Sequence, residues 1–189
     1  MDRDGFIMIN SARVSFPHLF TRPTINGEEG KCGAALMLDL RTHKTAIKEI
    51  EDDIETLAAE RFKKHKLPSD KRCLRDGDDK GRAEYEGFMI LSANSKDRPV
   101  VIDAKGPGVI TNEADSSIYA GCYVNVKIGL WAQDNKYGKR INAELVAIQF
   151  AGDGEALDGS YVSVDDAMSG FGTAANDNSD SEEDDFLAA

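Results

Sequence analysis

The sequence predicts a mainly β domain with one α-helix and an acidic C-terminal tail. Several short runs alternate apolar and polar residues with period two, as half-buried strands do. A single longer run has apolar residues at helical spacing. Residues 152–189 contain 11 acids and no base, whereas residues 1–151 hold all 23 Lys and Arg together with 23 acids. We therefore predict one domain at residues 1–151 and a disordered tail at residues 152–189.

Length, apolar pattern and cysteine usage place further limits on the protein. A chain of 189 residues is long enough for one sizeable hydrophobic core. It has no apolar run of about 18 residues, and its first residues lack the pattern of a signal peptide, so we expect a cytoplasmic protein without a membrane partner. Its three cysteines, Cys32, Cys73 and Cys122, show no C-x-x-C spacing and are expected to be reduced packing residues.

The net charge of −11 belongs to the tail alone. Without the tail the domain is neutral, and its basic side chains can cluster on one face. The acidic composition of the whole chain therefore does not exclude a nucleic-acid partner.

Residues 6–16 form the first predicted strand and residues 31–40 the second. In the second half of the first strand, one face is expected to contain Asn10, Ala12, Val14 and Phe16. The second strand has an apolar face made of Cys32, Ala34, Leu36, Leu38 and Leu40. The loop between the two strands is rich in Gly, Pro and Asn and is too long for a tight hairpin.

Residues 43–66 change to helical periodicity, and Pro68 ends the run. Apolar residues recur every three or four positions on one face, which we expect to be buried. These residues are Ile47, Ile50, Ile54, Leu57, Ala58 and Phe62. Basic residues in the last turn interact favourably with the helix dipole, so they are not by themselves evidence of phosphate contacts.

Three aspartates, Asp76, Asp78 and Asp79, stand close together in the polar segment at residues 73–81. Clustered carboxylates hold the metal ions of many nucleases, so these residues are the basis of an alternative in which the protein is a metal-dependent nuclease. Their spacing does not match the EF-hand calcium loop, because no Glu stands at its last position. We expect a solvated turn and no bound metal.

Two short strands are predicted at residues 87–91 and 99–102, with a basic loop between them. A β-hairpin follows, with strands at residues 119–131 and 140–150 and a basic tip at residues 134–139.

The first strand of this hairpin has an unusual outer face. Its even positions, from 120 to 130, are small or apolar and suit a core. Its odd positions carry rings, an amide, a lysine and glycines, where a solvated strand normally carries Thr, Glu and Lys. The glycines leave room for a flat group between the rings, so we interpret this face as a platform on which nucleic-acid bases stack. The alternative is that the rings cover a sheet face beneath the helix.

Binding of a single-stranded nucleic acid requires rings for its bases and cations for its phosphates, and the hairpin supplies both. Candidate contacts from the hairpin are Tyr119, Tyr123, Asn125, Lys127, Trp131, Lys136, Tyr137, Lys139 and Arg140. Candidate contacts from the preceding loops are Lys96, Arg98 and Lys105. Each stacked base contributes roughly 1–3 kcal/mol, so two or three rings give appreciable affinity.

Sequence motifs of catalysis are not found. The three histidines are scattered, and none has a second histidine or a cysteine at metal-ligand spacing. The patterns G-x-S-x-G and H-E-x-x-H do not occur. We therefore predict a protein that is not an enzyme and that uses no cofactor.

The end of the tail has a pattern typical of partner binding. Glu182, Glu183, Asp184 and Asp185 directly precede Phe186, and a ring after an acidic string suits an apolar pocket surrounded by lysines. The alternative is a tail that only increases solubility. A disordered tail of this length spans roughly 35 Å, whereas the radius of gyration of the domain is about 15 Å. We expect the tail to reach the basic face of its own domain and to compete there with DNA.

Four strings occur in order along the chain: L-R-D-G-D-D at 74–79, S-K-D-R-P at 95–99, I-Y-A-G-C-Y-V-N-V-K at 118–127 and L-V-A-I-Q-F at 145–150. Together they resemble a family of single-stranded DNA-binding proteins of tailed phages. The resemblance implies a five-stranded OB-fold barrel that coats single strands in phage replication and recombination, with a tail that contacts replication proteins. Two features depart from the family pattern. Two alanines follow Phe186-Leu187, and the helix follows the second strand instead of the third.

The sequence therefore predicts a non-enzymatic single-stranded DNA-binding protein with little sequence preference, located in the cytoplasm of a host cell. Besides the nuclease, a second alternative is an adaptor that acts only through its tail. Whether the protein is a monomer or a homodimer stays open.

Overall fold

The computed structural model describes residues 5–63, 67–104, 106 and 108–157. Its strands are β1 (Phe6–His18), β2 (Thr24–Ile25), β3 (Glu28–Glu29), β4 (Cys32–Asp39), β5 (Leu74–Asp76), β6 (Phe88–Ser95), β7 (Val100–Ile102), β8 (Val109–Ile110), β9 (Tyr123–Asn135) and β10 (Gly138–Gly152). The α-helix α1 spans Lys44–Phe62. Short 3-10 helices lie at Ser69–Lys71, Asp78–Lys80, Ala83–Tyr85 and Glu113–Asp115.

Five of the strands close into a barrel. The hydrogen-bonded order of the main sheet is β5-β6-β4-β1-β9-β10-β7-β8, and β6 also pairs with β10. This last pairing joins Ala93 and Ala143 in parallel and completes the ring β6-β4-β1-β9-β10. Strands β5, β7 and β8 extend the sheet outside the ring. The barrel and the α-helix α1 confirm the predicted fold class.

The barrel interior and the buried face of α1 share one hydrophobic core. Side chains from all five barrel strands contribute to it, and α1 contacts β9 and β10. The predicted helical face is confirmed, with Leu57 partly buried at its edge. The fully packed residues of that face are Ile47, Ile50, Ile54, Ala58 and Phe62.

The helix α1 ends at Phe62, earlier than the predicted end at residue 66. Lys63 has the left-handed backbone conformation, with a φ of 52°, and its N–H donates to the Ala59 carbonyl at 3.0 Å. Because a left-handed residue does not continue a right-handed helix, Lys63 terminates α1 before Pro68 is reached. Within the described residues, no α-helix is both long and apolar enough to cross a membrane.

The first strand departs from simple alternation at two β-bulges. Ser11 and Phe16 have positive φ angles of 56° and 50°, and the pairing register shifts beside each of them. The extra residue of a bulge changes which face the neighbouring side chains occupy. Ala12 and Val14 are buried as predicted, but Asn10 and Phe16 are exposed, so the prediction that all four share a face was wrong.

The loops contain more regular structure than the sequence indicated. The long loop after β1 includes the small hairpin β2–β3, and the segment at residues 73–81 includes β5 and a 3-10 turn. Strand β6 continues beyond its predicted end at residue 91 to Ser95, because it pairs along its length with β4. The ends of these strands are determined by pairing with a neighbouring strand. Such pairing cannot be inferred from the periodicity of a single segment.

The long hairpin of β9 and β10 is present as predicted. The two strands pair from Asn135 and Gly138 at the tip to Tyr123 and Gly152 at the base. Strand β9 begins at Tyr123 instead of residue 119, because the preceding residues form a turn. In this turn the N–H of Cys122 donates to the carbonyl of Tyr119 at 3.2 Å.

The three cysteines are free and buried, as their spacing predicted. Burial raises the pKa of both Cys73 and Cys122 to about 11. Because the thiolate is the reactive form, these two thiols are inert near neutral pH.

The segment at residues 153–157, here called the strap, turns back along the barrel after β10. The guanidinium of Arg13 donates from Nη2 to the Glu155 carbonyl at 2.7 Å. The N–H of Leu157 donates to the Ala120 carbonyl at 3.0 Å. The strap thus packs on the domain, although the sequence assigned these residues to the tail.

Gly121 is the residue on which the strap rests. Its φ is 110°, and a Cβ at this position would lie 2.1 Å from the Glu155 carbonyl oxygen. We expect Gly121→Ala to lower the free energy of unfolding by about 1–3 kcal/mol and to detach the strap. Urea denaturation measures the first effect, and faster proteolysis within the strap measures the second.

Gly81→Ala is the matched control for this substitution. Gly81 also has a positive φ, 65°, but nothing lies within 4 Å of a Cβ built there. Equal losses of stability in the two variants, with the strap equally resistant to protease, would contradict the role assigned to the contact between Gly121 and the strap.

Candidate nucleic-acid interface

The outer face of β9 has the alternation that the sequence predicted. Val124, Val126 and Ile128 are fully buried. The residues that alternate with the buried side chains of β9 therefore lie on the outside of the barrel: Tyr123, Asn125, Lys127, Gly129 and Trp131. The rings of Tyr123 and Trp131 are each 40% exposed, at opposite ends of this row. Roughly 26 Å of strand separates them, so the two rings do not form one continuous platform.

The gap beside Gly129 is occupied by a ring of the protein itself. Phe6 pairs with Gly129, and its ring atoms lie 3.3 Å from the position of a Cβ on that glycine. The prediction that this glycine leaves space for a base was therefore wrong. Lys127 places its Nζ 4.7 Å from the centroid of the same Phe6 ring, so its charge lies above an aromatic surface.

Two predicted contact residues have structural partners. The Tyr119 hydroxyl accepts the N–H of Gly154 at 3.0 Å and lies 2.9 Å from the Gly154 carbonyl. Burial raises the pKa of this hydroxyl. Tyr119 precedes β9 and holds the strap, so its expected place on the strand face was wrong. Asn125 accepts the N–H of Ser11 through Oδ1 at 3.1 Å and thereby supports the first bulge of β1.

The hairpin tip presents the most exposed ring of the predicted site. Tyr137 is 72% exposed, and the Nζ of Lys136 lies 4.9 Å from its ring centroid. The side chain of Asn135 accepts the Tyr137 N–H at 3.0 Å, which fixes the turn. The tip therefore holds a ring and a cation side by side, in solvent.

A cleft of about 520 Å³ separates the hairpin from the C-terminal end of α1. Trp131, Arg61 and Phe62 are among the residues that line it. Lys139 extends toward the helix, with its Nζ 5.4 Å from the centroid of the Phe62 ring. Arg140 follows on β10 and is partly buried. The lining of the cleft thus combines two rings, Trp131 and Phe62, with the cation Arg61, which the sequence analysis had explained by the helix dipole. It also contains one acid, Asp134, which pairs with Lys139 at 3.4 Å.

Lys96 and Arg98 lie away from the hairpin tip. They follow β6, which meets β10 about 20 Å along the strand from the tip. The Arg98 guanidinium stacks on Phe20 at 4.4 Å and donates to the Thr111 carbonyl. The Lys96 carbonyl accepts a hydrogen bond from Arg22 at 2.7 Å. The remaining predicted contacts lie outside the described residues: Lys105, Glu182, Glu183, Asp184, Asp185 and Phe186.

Two of the three aspartates of the nuclease alternative accept hydrogen bonds that stabilise a turn. Asp76 accepts the N–H of Asp78 at 3.0 Å, and Asp78 accepts the N–H of Gly87 at 3.1 Å. Asp79 is exposed beside them. In the part of the chain that the structure describes, no group of three or more His, Cys, Asp and Glu residues is arranged to hold a metal ion.

A surface that sequence reasoning missed lies on the opposite side of the barrel. Strand β9 is directly across the ring from the β4–β6 pair, whose outer side borders a groove of about 600 Å³. Phe16 lines this groove and is 46% exposed. The available signal was the string S-F-P-H at 15–18, in which a ring stands directly before a proline at the end of an alternating strand.

Comparison with known proteins relates this barrel to phage proteins. The family model described as Enterobacter phage Enc34, ssDNA-binding protein, matches residues 6–187. Protein p50 of Acyrthosiphon pisum secondary endosymbiont phage 1 is 33% identical over 165 residues, which cover 82% of this chain and 88% of that protein.

Two solved structures have the same fold. The single-stranded DNA-binding protein from bacteriophage Enc34, in complex with ssDNA, matches with a TM-score of 0.74 and 32% identity, over 82% of this chain and 90% of that one. The single-stranded DNA-binding protein gp2.5 of bacteriophage T7 matches with a TM-score of 0.55 and 14% identity, over 83% and 97% of the two chains. This second likeness concerns the fold alone. The extent of the family match confirms the resemblance seen in the four sequence strings, and the chain belongs to the family of the Enc34 phage single-stranded DNA-binding protein.

Proposed function

We propose that this protein binds single-stranded DNA with little sequence preference. The observation that carries the proposal is the row of exposed rings and basic side chains along β9 and the hairpin tip. Bases stack on Tyr123, Trp131 and Tyr137. Phosphates are bound by Lys127, Lys136, Lys139 and Arg140. Stacking explains the weak preference, because every base has a π-face.

The other predicted residues have supporting parts in this proposal. Lys96, Arg98 and Lys105 contact strands that extend beyond the hairpin. Tyr119 and Asn125 act indirectly, because they hold the strap and the bulge against which β9 is fixed.

The acidic tail has two roles in the same proposal. It competes with DNA for the basic side chains, because like DNA it is a polyanion. Its last acids and Phe186 recruit replication and recombination proteins of the phage and its host, in the host cytoplasm. The acidic string followed by a ring, read from the sequence, supports this role.

Titration with oligo-dT tests the proposed function. Trp131 is the only tryptophan of the chain, so we expect its fluorescence to be quenched as DNA is added. Release of about four phosphate-bound counterions predicts a slope near −3 for log K against log salt, since each phosphate of a single strand contributes roughly −0.7.

Labelled single strands incubated with the protein and magnesium provide the control for catalysis. We expect retardation of the intact oligonucleotide in a gel. Fragments would support the nuclease alternative, and the absence of both quenching and retardation would favour an adaptor that acts only through its tail.

A further inference from the structure

The strap ends at the edge of a cavity of about 350 Å³. Phe16, Pro17, Ala120 and Leu157 give this cavity an apolar wall. Leu157 is the last residue that the structure describes, and its N–H donates to the Ala120 carbonyl at 3.0 Å. The chain therefore continues toward its acidic tail from the wall of the cavity.

Polar side chains complete the lining of the cavity. His18 is exposed, and Arg82 donates to Glu84 at 3.2 Å. The guanidinium carbon of Arg82 lies 4.8 Å from the centroid of the Phe16 ring, which is within the range of cation–π stacking. An apolar wall combined with polar groups suits a side chain with an apolar body and a polar end, such as tyrosine.

The Phe16 side of the cavity is held in place by buried contacts. A φ of 50° at Phe16 is unfavourable for a bulky residue and is retained only where the surroundings fix it. The preceding residue, Ser15, is buried, and its Oγ lies 3.2 Å from the hydroxyl of the buried Tyr85. The cavity is therefore formed by the domain before any side chain enters it.

Tyr161 is the first aromatic residue of the chain beyond the strap. It follows Leu157 by four residues, which span at most roughly 14 Å when extended, whereas a sphere of 350 Å³ is roughly 9 Å across. Its ring can therefore reach any part of the cavity. The string Y-V-S-V at 161–164 is also denser in aromatic and β-branched residues than the rest of residues 158–189.

The charges on the two sides are complementary. Asp158 precedes the string, and Asp165 and Asp166 follow it. On the domain, Arg82 is exposed beside the cavity. Acids on both sides of a seated ring would therefore lie near a cation.

We propose that this cavity binds the side chain of Tyr161 from the same chain. The ring packs against Phe16 and Leu157, and its hydroxyl meets the polar groups of His18 and Arg82. The folded domain then extends past the strap, and the acidic part of the tail begins at Asp165. The proposal concerns contacts within the protein and does not depend on the proposed function.

Limited proteolysis with chymotrypsin tests the proposal in the full-length protein without DNA. The protease cleaves after aromatic residues, so Tyr161 and Phe171 are two sites in the same tail. Each cleavage rate is divided by the rate at the same bond in a synthetic peptide of residues 156–176. We expect the normalised rate after Tyr161 to be roughly tenfold or more below that after Phe171, because burial of one large side chain reduces its accessible population by about that factor.

Two substitutions test whether the cavity is the cause. Phe16→Ala removes a ring from the wall and should raise the rate after Tyr161 to that of the peptide. Val109→Ala alters another exposed apolar residue, on β8 and outside the cavity lining, and should leave the rate unchanged. Nuclear Overhauser contacts of the Tyr161 ring with the methyl groups of Ala120 and Leu157 in the wild-type protein locate the ring even if Phe16→Ala folds poorly.

Three results would overturn the proposal. Equal normalised rates after Tyr161 and Phe171 in the wild type would show that the ring is not bound. Protection that persists in a folded Phe16→Ala variant would place the ring elsewhere, and protection that is lost on dilution would assign it to a second copy of the chain. Because no step involves oligo-dT, failure of the proposed function would leave each of these outcomes unchanged.

Discussion

A chain that ends at Leu157 is expected to bind oligo-dT about tenfold more tightly than the full-length chain at low salt. Residues 158–189 carry nine of the 34 acids of the protein and no base. A tethered competitor has an effective concentration on the order of 1 mM, which weakens DNA binding about tenfold when its own dissociation constant is about 0.1 mM. Ending the chain at Leu157 keeps the strap, so the domain retains its contacts with Arg13 and Ala120.

The salt dependence identifies the cause of this change. The difference in oligo-dT affinity between the two chains should decrease as the salt concentration rises. At about 1 M salt the Debye length is only about 3 Å, so the attraction between the acidic tail and the basic side chains is screened. The control is a full-length chain with E182Q, E183Q, D184N and D185N, which keeps the length of the tail and removes part of its charge. It should bind with intermediate affinity. Equal affinities of the full-length and shortened chains at every salt concentration would show that the tail does not compete.

Trp131→Ala is expected to weaken oligo-dT binding roughly 5- to 150-fold, which corresponds to one stacked base. The ring is 40% exposed at the mouth of the cleft beside α1, so a base can reach it without any movement of the barrel. Anisotropy of a labelled oligonucleotide measures the affinity, since the intrinsic fluorescence signal is lost with the tryptophan.

Two companion variants separate stacking from folding. Trp131→Phe keeps a ring and should retain most of the affinity. Tyr137→Ala removes a ring at the tip, where 72% of the side chain is exposed, and should weaken binding with no change in melting temperature. If Trp131→Ala melts as the wild type does and binds oligo-dT equally well, the outer face of β9 is not a contact surface.

The parts of the structure that follow from local periodicity were predictable from the sequence. The buried side of β9 and the buried face of α1 are each determined by spacing within one segment, so the pattern alone located them. The outer face of β9 was harder. Its residues from Tyr123 to Trp131 were identified correctly, but Tyr119 was wrongly placed among them. The contact between Phe6 and Gly129 depends on the pairing of β1 with β9, which cannot be inferred from either segment alone.

The bulges and the groove were beyond sequence reasoning for the same physical reason. Phe16 points outward because of how β1 pairs with β4, and alternation along β1 predicts the reverse. The groove beside β4 and β6 is lined by Phe16, Lys31 and Asn94, among other residues. These residues are distant in sequence and come together only when β4 and β6 pair. Arg82 reaches the ring through a 3-10 segment anchored by the buried Tyr85.

The strap packs against the β4–β6 side of the barrel, opposite β9. Leu157 lines the cavity that it shares with Phe16 and Arg82, and it also packs against the small apolar cluster around Met37. Leu157, the last residue that the structure describes, therefore lies across the ring from β9. Because the tail is tethered at this point, we expect its proposed competition with DNA to act more strongly on this side of the barrel than on the hairpin.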